Sequence, residues 1–251
     1  MTSLRPLLLA ALLAPAGAHA DTLADLRTAL TRLPAKAPLT ARVQVQGESR
    51  QGNDTTPIAG SVLVDDGATG LRLSYGPDLT ARLATEARTA AATPPEQSPP
   101  AGRAKATLAQ LDLESVRLLA SAGEVLAAQL DRATACTPET DTQLGGKPAR
   151  LLSCTLRRPA MTARERGYVK QYDGKLELWL APDGTPLAAR RNETLSGRAM
   201  VVISFETQFA VETSYAVLGD RLVATRLESR QSGSGAGERG DSKLVWTLTP
   251  R

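Results

Sequence analysis

Two rhythms of apolar residues alternate along this chain and divide it into elements. Leu23, Leu26, Leu30 and Leu33 recur at steps of three and four residues as far as Pro34, which predicts a short helix from Asp21 to Leu33. The period then falls to two. Ala41, Val43 and Val45 alternate with Arg42, Gln44 and Gln46, the pattern of a strand with one buried face. A polar turn at Gly52-Asn53-Asp54 leads to a strand over Gly60 to Val64, and Asp65-Asp66-Gly67 turns into Leu71, Leu73 and Tyr75. These three strands form a meander.

Helical periodicity returns at Pro77 and runs to about Ala92, with Asp78 suited to cap it. TPPEQSPPAG, residues 93–102, reads as an exposed proline-rich loop. A longer helix is predicted from Leu113 to Arg132. Val116, Leu119, Leu126 and Leu130, with Ala120, Ala122 and Ala127, give it a wide apolar stripe suited to lying on a sheet. Alternation then resumes in Leu151 to Leu156, Lys175 to Leu180, Pro186 to Leu195, Met200 to Phe209, Val211 to Leu218, Leu222 to Glu228 and Leu244 to Leu248. Asp183-Gly184 and Gly219-Asp220 mark tight turns, and Ser232 to Gly240 reads as flexible. The expectation is about nine strands and three helices in a single β-rich domain over residues 21–251, with a helical insert at about 77–132.

The N-terminus changes the setting. Arg5, an apolar run from Leu7 to Ala14, and small residues at Ala18 and Ala20 predict a secretory signal peptide over residues 1–20, cleaved after Ala20. The run is too short to span a bilayer, and no cysteine follows the cleavage site. The expected product is exported, periplasmic and not membrane-spanning. The leader also carries His19, the chain's single histidine. What folds afterwards has no imidazole, which excludes Ser-His-Asp and Cys-His catalysis, histidine-ligated metals and a histidine general base. Cys136 and Cys154 are the two cysteines, and in an oxidising compartment they are expected to form one disulfide around the turn at Gly145-Gly146.

Charge and composition narrow the choices further. The chain carries 30 Lys+Arg against 26 Asp+Glu with aromatics at 3%, so it lacks the dense basic face and stacking rings of a nucleic-acid binder. Gly235-Ala236-Gly237-Glu238-Arg239-Gly240 spells G-x-G-x-x-G, but a strand pattern follows it and it is read as a loop. Asp65-Asp66 sits in a turn and Asp112 and Glu114 at a helix start, placements that backbone chemistry accounts for. No catalytic residue, metal site or cofactor is assigned, and the expectation is a non-enzyme, with a carboxylate-based hydrolase as an alternative. Arg157, Arg158, Arg164, Arg166 and Lys170 cluster around a short, helical connection, TARERGYVKQY; this is either a solvated loop or a contact for lipid head groups or an acidic partner.

The order of elements resembles the periplasmic lipoprotein-carrier family, which comprises the lipoprotein chaperone, its outer-membrane receptor and their relatives. KLELWLAPDGTPLAARRNETLSGRAMVVISF, Lys175 to Phe205, is similar to that family's strand, Asp-Gly turn, strand and following strand. GSVLVDDGATGLRLSY, Gly60 to Tyr75, resembles its early strands. As a whole the chain also looks like an exported protein of Gram-negative bacteria. The resemblance implies an α+β fold, a curved antiparallel β-sheet or half-barrel of about nine strands with helices packed on its concave face. It also implies a periplasmic carrier for a lipid-like or other apolar ligand, a lipid or a lipoprotein. Where helices leave such a concave face unfilled, an acyl chain can lie there, each buried methylene contributing about 0.8 kcal/mol. The residues expected to line that space are Val43, Val45, Leu71, Leu73, Leu119, Leu126, Leu178 and Leu180. The alternative is an envelope protein that docks a protein partner through its sheet and basic loop, with no ligand cavity.

Overall fold

The computed structural model describes residues 22–94, 102–199, 203–235 and 237–251. The segment expected to be a signal peptide, residues 1–20, and most of the proline-rich loop lie outside the described residues. The helices among them are α1 (Thr22–Thr31), α2 (Pro77–Ala92), α3 (Arg103–Ala109), α4 (Leu113–Ala120), α5 (Ala122–Leu130) and α6 (Ala163–Tyr168). The strands are β1 (Leu39–Gln51), β2 (Asp54–Gly67), β3 (Gly70–Tyr75), β4 (Ala133–Leu144), β5 (Lys147–Leu156), β6 (Val169–Leu180), β7 (Pro186–Ala199), β8 (Ile203–Leu218), β9 (Arg221–Gly235) and β10 (Glu238–Pro250).

All ten strands join one open antiparallel sheet in the order β3-β2-β1-β10-β9-β8-β7-β6-β5-β4. Every neighbour in that order is also a sequence neighbour except β1 and β10, which pair inside the sheet from Ala41 opposite Pro250 to Gln51 opposite Gly240. Two meanders are thereby stitched into one sheet by the first and last strands. The topology also places the helices. The chain leaves the sheet at one edge, β3, and re-enters at the other, β4, so the connection carrying α2 to α5 has to traverse a face. The face it covers is the apolar one. Ala41, Val43 and Val45 of β1, Val62 and Val64 of β2, and Trp246 and Leu248 of β10 share a core with Leu111, Val116, Leu119 and Leu126 from the helices. Arg42, Gln44 and Gln46 point to solvent on the other side.

Two glycines shape this contact. A Cβ on Gly60 would stand 2.5 Å from Thr107 Cγ2 and 3.2 Å from Leu111 Cδ1, so α3 can approach β2 only over a residue without a side chain. Gly47 has φ +152°, and a Cβ there would run into the Lys243 carbonyl oxygen, which fits a bend in β1 beside β10.

Several sequence expectations are corrected. The helix predicted over Leu113 to Arg132 is two helices, α4 and α5, broken at Ser121 (φ −121°, ψ 46°). The carbonyl of Ala120, freed at the break, accepts a hydrogen bond from Arg221 Nη1 at 3.2 Å. α2 starts from Gly76 rather than from Asp78, with Pro77 at the first helical position and Asp78 inside the first turn. α3 adds a further helix, and its own N-cap, Gly102, offers no side chain; Glu86 of α2 instead accepts from the amides of Ala104 (2.7 Å) and Lys105 (3.1 Å). β4, ATACTPETDTQL, has no apolar alternation because it is an edge strand, and so escaped notice. The segment 203–218 is one continuous strand rather than two. Ser232 to Gly235 and Glu238 to Gly240 are paired strand rather than a flexible stretch, with β9 and β10 paired from Gly235 opposite Glu238.

Cys136 and Cys154 face each other across β4 and β5 and are joined by a disulfide, with Gly145 and Gly146 at positive φ in the two-residue turn between the strands.

Candidate functional site

The eight residues expected to line an apolar space fall in two groups. Val43, Val45, Leu119, Leu126, Leu178 and Leu180 are at most 1% exposed and pack among one another in the core; Leu71 and Leu73, on edge strand β3, are half-buried against it. An apolar groove of about 480 Å³ lies elsewhere, between α1, α5 and the connection that follows α1. Leu30, Leu33, Pro34, Ala127 and Leu130 form its walls, and Leu222 of β9 lies at its base.

Local sequence explains why this groove is apolar and why it stays open. α1 carries a leucine every three or four residues; Leu26 is fully buried while Leu30 and Leu33 are only partly covered. On α5, small residues face α1: Gly123, where an added Cβ would meet Leu222 Cβ at 3.7 Å, and Ala127. Larger side chains at those two positions would close the space between the helices. Arg27, Glu124 and Asp131 stand at the rim. Arg27 is exposed and, among the described residues, in no ion pair.

The C-terminal end of the groove is joined to the basic segment. Arg157 donates from its amide to the carbonyl of Arg132 (2.8 Å) and from Nη2 to the carbonyl of Asp131 (2.8 Å). Arg132 returns a bond from Nη2 to the carbonyl of Arg157 (3.1 Å). α6 follows within this segment, closed at its start by a capping box in which Thr162 and Glu165 satisfy each other's backbone amides. Arg157, Arg158, Arg164, Arg166 and Lys170 are all exposed.

Beyond α5 a charged cluster sits on the core face of the sheet. Arg132 donates to Glu193 Oε1 and, at 2.7 Å, to Tyr172 Oη; Tyr172 donates to the same carboxylate oxygen at 2.8 Å, and Arg191 stands 3.5 Å from its other oxygen. Burial alone would raise the Glu193 carboxyl, but Arg191, Arg132 and the Tyr172 hydroxyl outweigh it and hold it below the ordinary glutamate value. The Tyr172 phenol is pushed up to about 12, first by burial and then by the bond to Glu193.

Of the four carboxylates considered from sequence as acid/base groups, Asp65 and Glu114 are exposed, and Asp66 and Asp112 have structural partners. Asp66 is 2.7 Å from Arg221 Nη1, and Asp112 caps α4 by accepting from the Ser115 amide at 2.8 Å. Among the described residues no three His, Cys, Asp or Glu converge as a metal site, and no helix is long and apolar enough to cross a membrane. Sequence reasoning did not single out Leu222, Arg132, Tyr172, Glu193 and Arg221, because their roles rest on partners from distant elements, which the periodicity within one element does not show.

The protein so defined is an open, helix-backed antiparallel sheet of the α+β class with an apolar groove at one end of its helical layer. Compared with protein-family profiles, curated proteins and solved structures, the chain matches none.

Proposed function

We propose that this protein is a non-enzymatic, exported carrier that binds a lipid-like ligand by its acyl chain, in the periplasm. The observation that carries this reading is the groove between α1 and α5, whose walls are Leu, Ala and Pro side chains and whose rim carries Arg27, free to meet an anionic head group. Each methylene placed there contributes about 0.8 kcal/mol, enough over one acyl chain for useful and reversible affinity. An open groove also suits exchange, since the ligand enters without unfolding the helical layer. The lipoprotein-carrier likeness of the sequence points the same way.

The test is displacement of a fluorescent fatty acid, followed by native mass spectrometry of the loaded chain. Wild type should bind one acyl chain, and Ala127→Trp, which fills the groove, should not. Ala128→Trp, one position on along α5 and outside the groove lining, should bind as wild type does. Equal binding by the two tryptophan variants would refute the assignment.

A further inference from the structure

We infer that the basic segment from Arg157 to Lys170 is a docking surface for an anionic lipid bilayer. Its five cations crowd into residues 157–170, a stretch with a single carboxylate. Several arginines elsewhere are matched to carboxylates: Arg150 to Asp25, Arg190 to Glu212, Arg221 to Asp66, Arg226 and Arg230 to Glu228. In this segment each cation is ordered by a neutral oxygen. Arg157 donates to the Asp131 carbonyl, Arg158 to that of Val169 (3.4 Å), Arg166 to that of Met161 (2.9 Å) and Lys170 to that of Gly167 (2.8 Å). Arg164 donates to the Tyr168 hydroxyl at 3.1 Å and lies over its ring. Among the described residues, none of the five is in an ion pair. The side chains are thereby positioned while their charge is left uncompensated.

The acidic groups around the segment do not cancel it. Glu165, the one carboxylate between Arg157 and Lys170, is tied into the α6 capping box. α6 packs on β6 and β7. There, Glu177 is matched by Lys175 and Arg190, and Glu193 by Arg132 and Arg191, which leaves Asp173 as an exposed carboxylate on β6.

A bilayer fits this surface better than an acidic peptide. The cations are spread over an exposed turn and short helix rather than gathered around a cleft, and Pro159, Met161 and Tyr168 stand half-buried among them. That mixture of arginines with an aromatic ring bearing a hydroxyl suits the head-group layer. The segment also ends at the groove's rim through Asp131, which would bring the groove to the lipid surface if the carrier reading holds; the docking itself does not depend on it.

Flotation of the full chain with vesicles tests this without any acyl ligand. Wild type should float with vesicles containing phosphatidylglycerol at low salt, but not with phosphatidylcholine alone, and should be released as salt is raised. Arg164→Gln/Arg166→Gln should weaken partitioning about 25-fold, at about fivefold per charge. Arg226→Gln/Arg230→Gln, an equal loss of charge elsewhere, should bind like wild type. Equal weakening by both pairs would mean that net charge alone acts, and would overturn the assignment. So would failure to float with anionic vesicles, or binding of polyglutamate in preference to them. Loss of fatty-acid binding in Ala127→Trp with flotation intact would separate this surface from the groove.

Discussion

Arg221 shows how one buried cation can fix the geometry of several segments. Its guanidinium donates to the carbonyls of Ala35 (2.8 Å), Ala37 (2.9 Å) and Ala120 (3.2 Å) and to Asp66 (2.7 Å), so one side chain ties the connection after α1, the helix break and the end of β2 to the start of β9. Removing one partner of a buried pair strands the other, which typically costs about 3–5 kcal/mol. Arg221→Met should therefore lower the unfolding free energy read from denaturant titration by that order, and Arg221→Lys should recover only part, because an ammonium cannot reach four acceptors in a plane. The side chain also borders the hollow beside the groove, so acyl binding should weaken in parallel. Glu193 makes a prediction in pH. Its folded pKa lies below its unfolded one, so the stability it contributes is present above the unfolded value of about 4.3 and disappears as pH falls through the folded value. Glu193→Gln should flatten the acid limb of a stability–pH curve. At neutral pH it should cost about 2 kcal/mol, less than a fully buried pair because Arg132 and Arg191 are 20% and 27% exposed. Neither residue could be found from the chain alone. Arg221 follows a turn and Glu193 sits in a strand between polar neighbours, and their importance comes from partners tens of residues away.

At the scale of elements, periodicity located what packs against something and missed what does not. β1, the interior of β6 and the stripe on α4 and α5 were legible because one face of each is buried. β4 was not, because an edge strand with Thr, Glu and Asp in it has no buried neighbour on one side. The break at Ser121 was hidden for a different reason: the apolar stripe runs across it without interruption, and the residue that satisfies the freed carbonyl comes from β9. The disulfide follows from the same weakness of β4. Pairing of β4 with β5 loses register between Glu139 and Thr142, and Cys136 is bonded to the residue directly opposite it on β5. Replacing both cysteines by serine should lower stability by about 3 kcal/mol on the chain-entropy estimate. Amide exchange should then rise most in residues 133–144, and by less in β1 and β10, which lie far from that edge. A uniform rise across the sheet would mean that the bridge acts on the whole fold rather than on its edge.

For the whole molecule, the inference that mattered from sequence was that strands before and after the helices belong to one sheet, and the β1–β10 pairing meets it. What the sequence misplaced was the open space, because a period-two pattern identifies the face that is buried but not how fully the helices cover it. α4 and α5 fill the middle of that face, and the groove is left where α1 and α5 diverge over Leu222. A groove at the margin of the helical layer, joined through Asp131 and Arg157 to a cationic segment, suggests a division of labour between holding a ligand and finding a surface. That division can be measured as transfer of a fluorescent fatty acid from anionic donor vesicles to acceptors. Ala127→Trp should float with vesicles yet give no transfer above the spontaneous rate. Arg164→Gln/Arg166→Gln should bind the fatty acid in solution as wild type does but transfer it more slowly, and rising salt should bring the wild-type rate down to meet the variant's. If Ala127→Trp transfers at the wild-type rate, the acyl chain does not travel in this groove. If the salt dependence is the same for wild type and the arginine variant, collection does not take place on the basic segment.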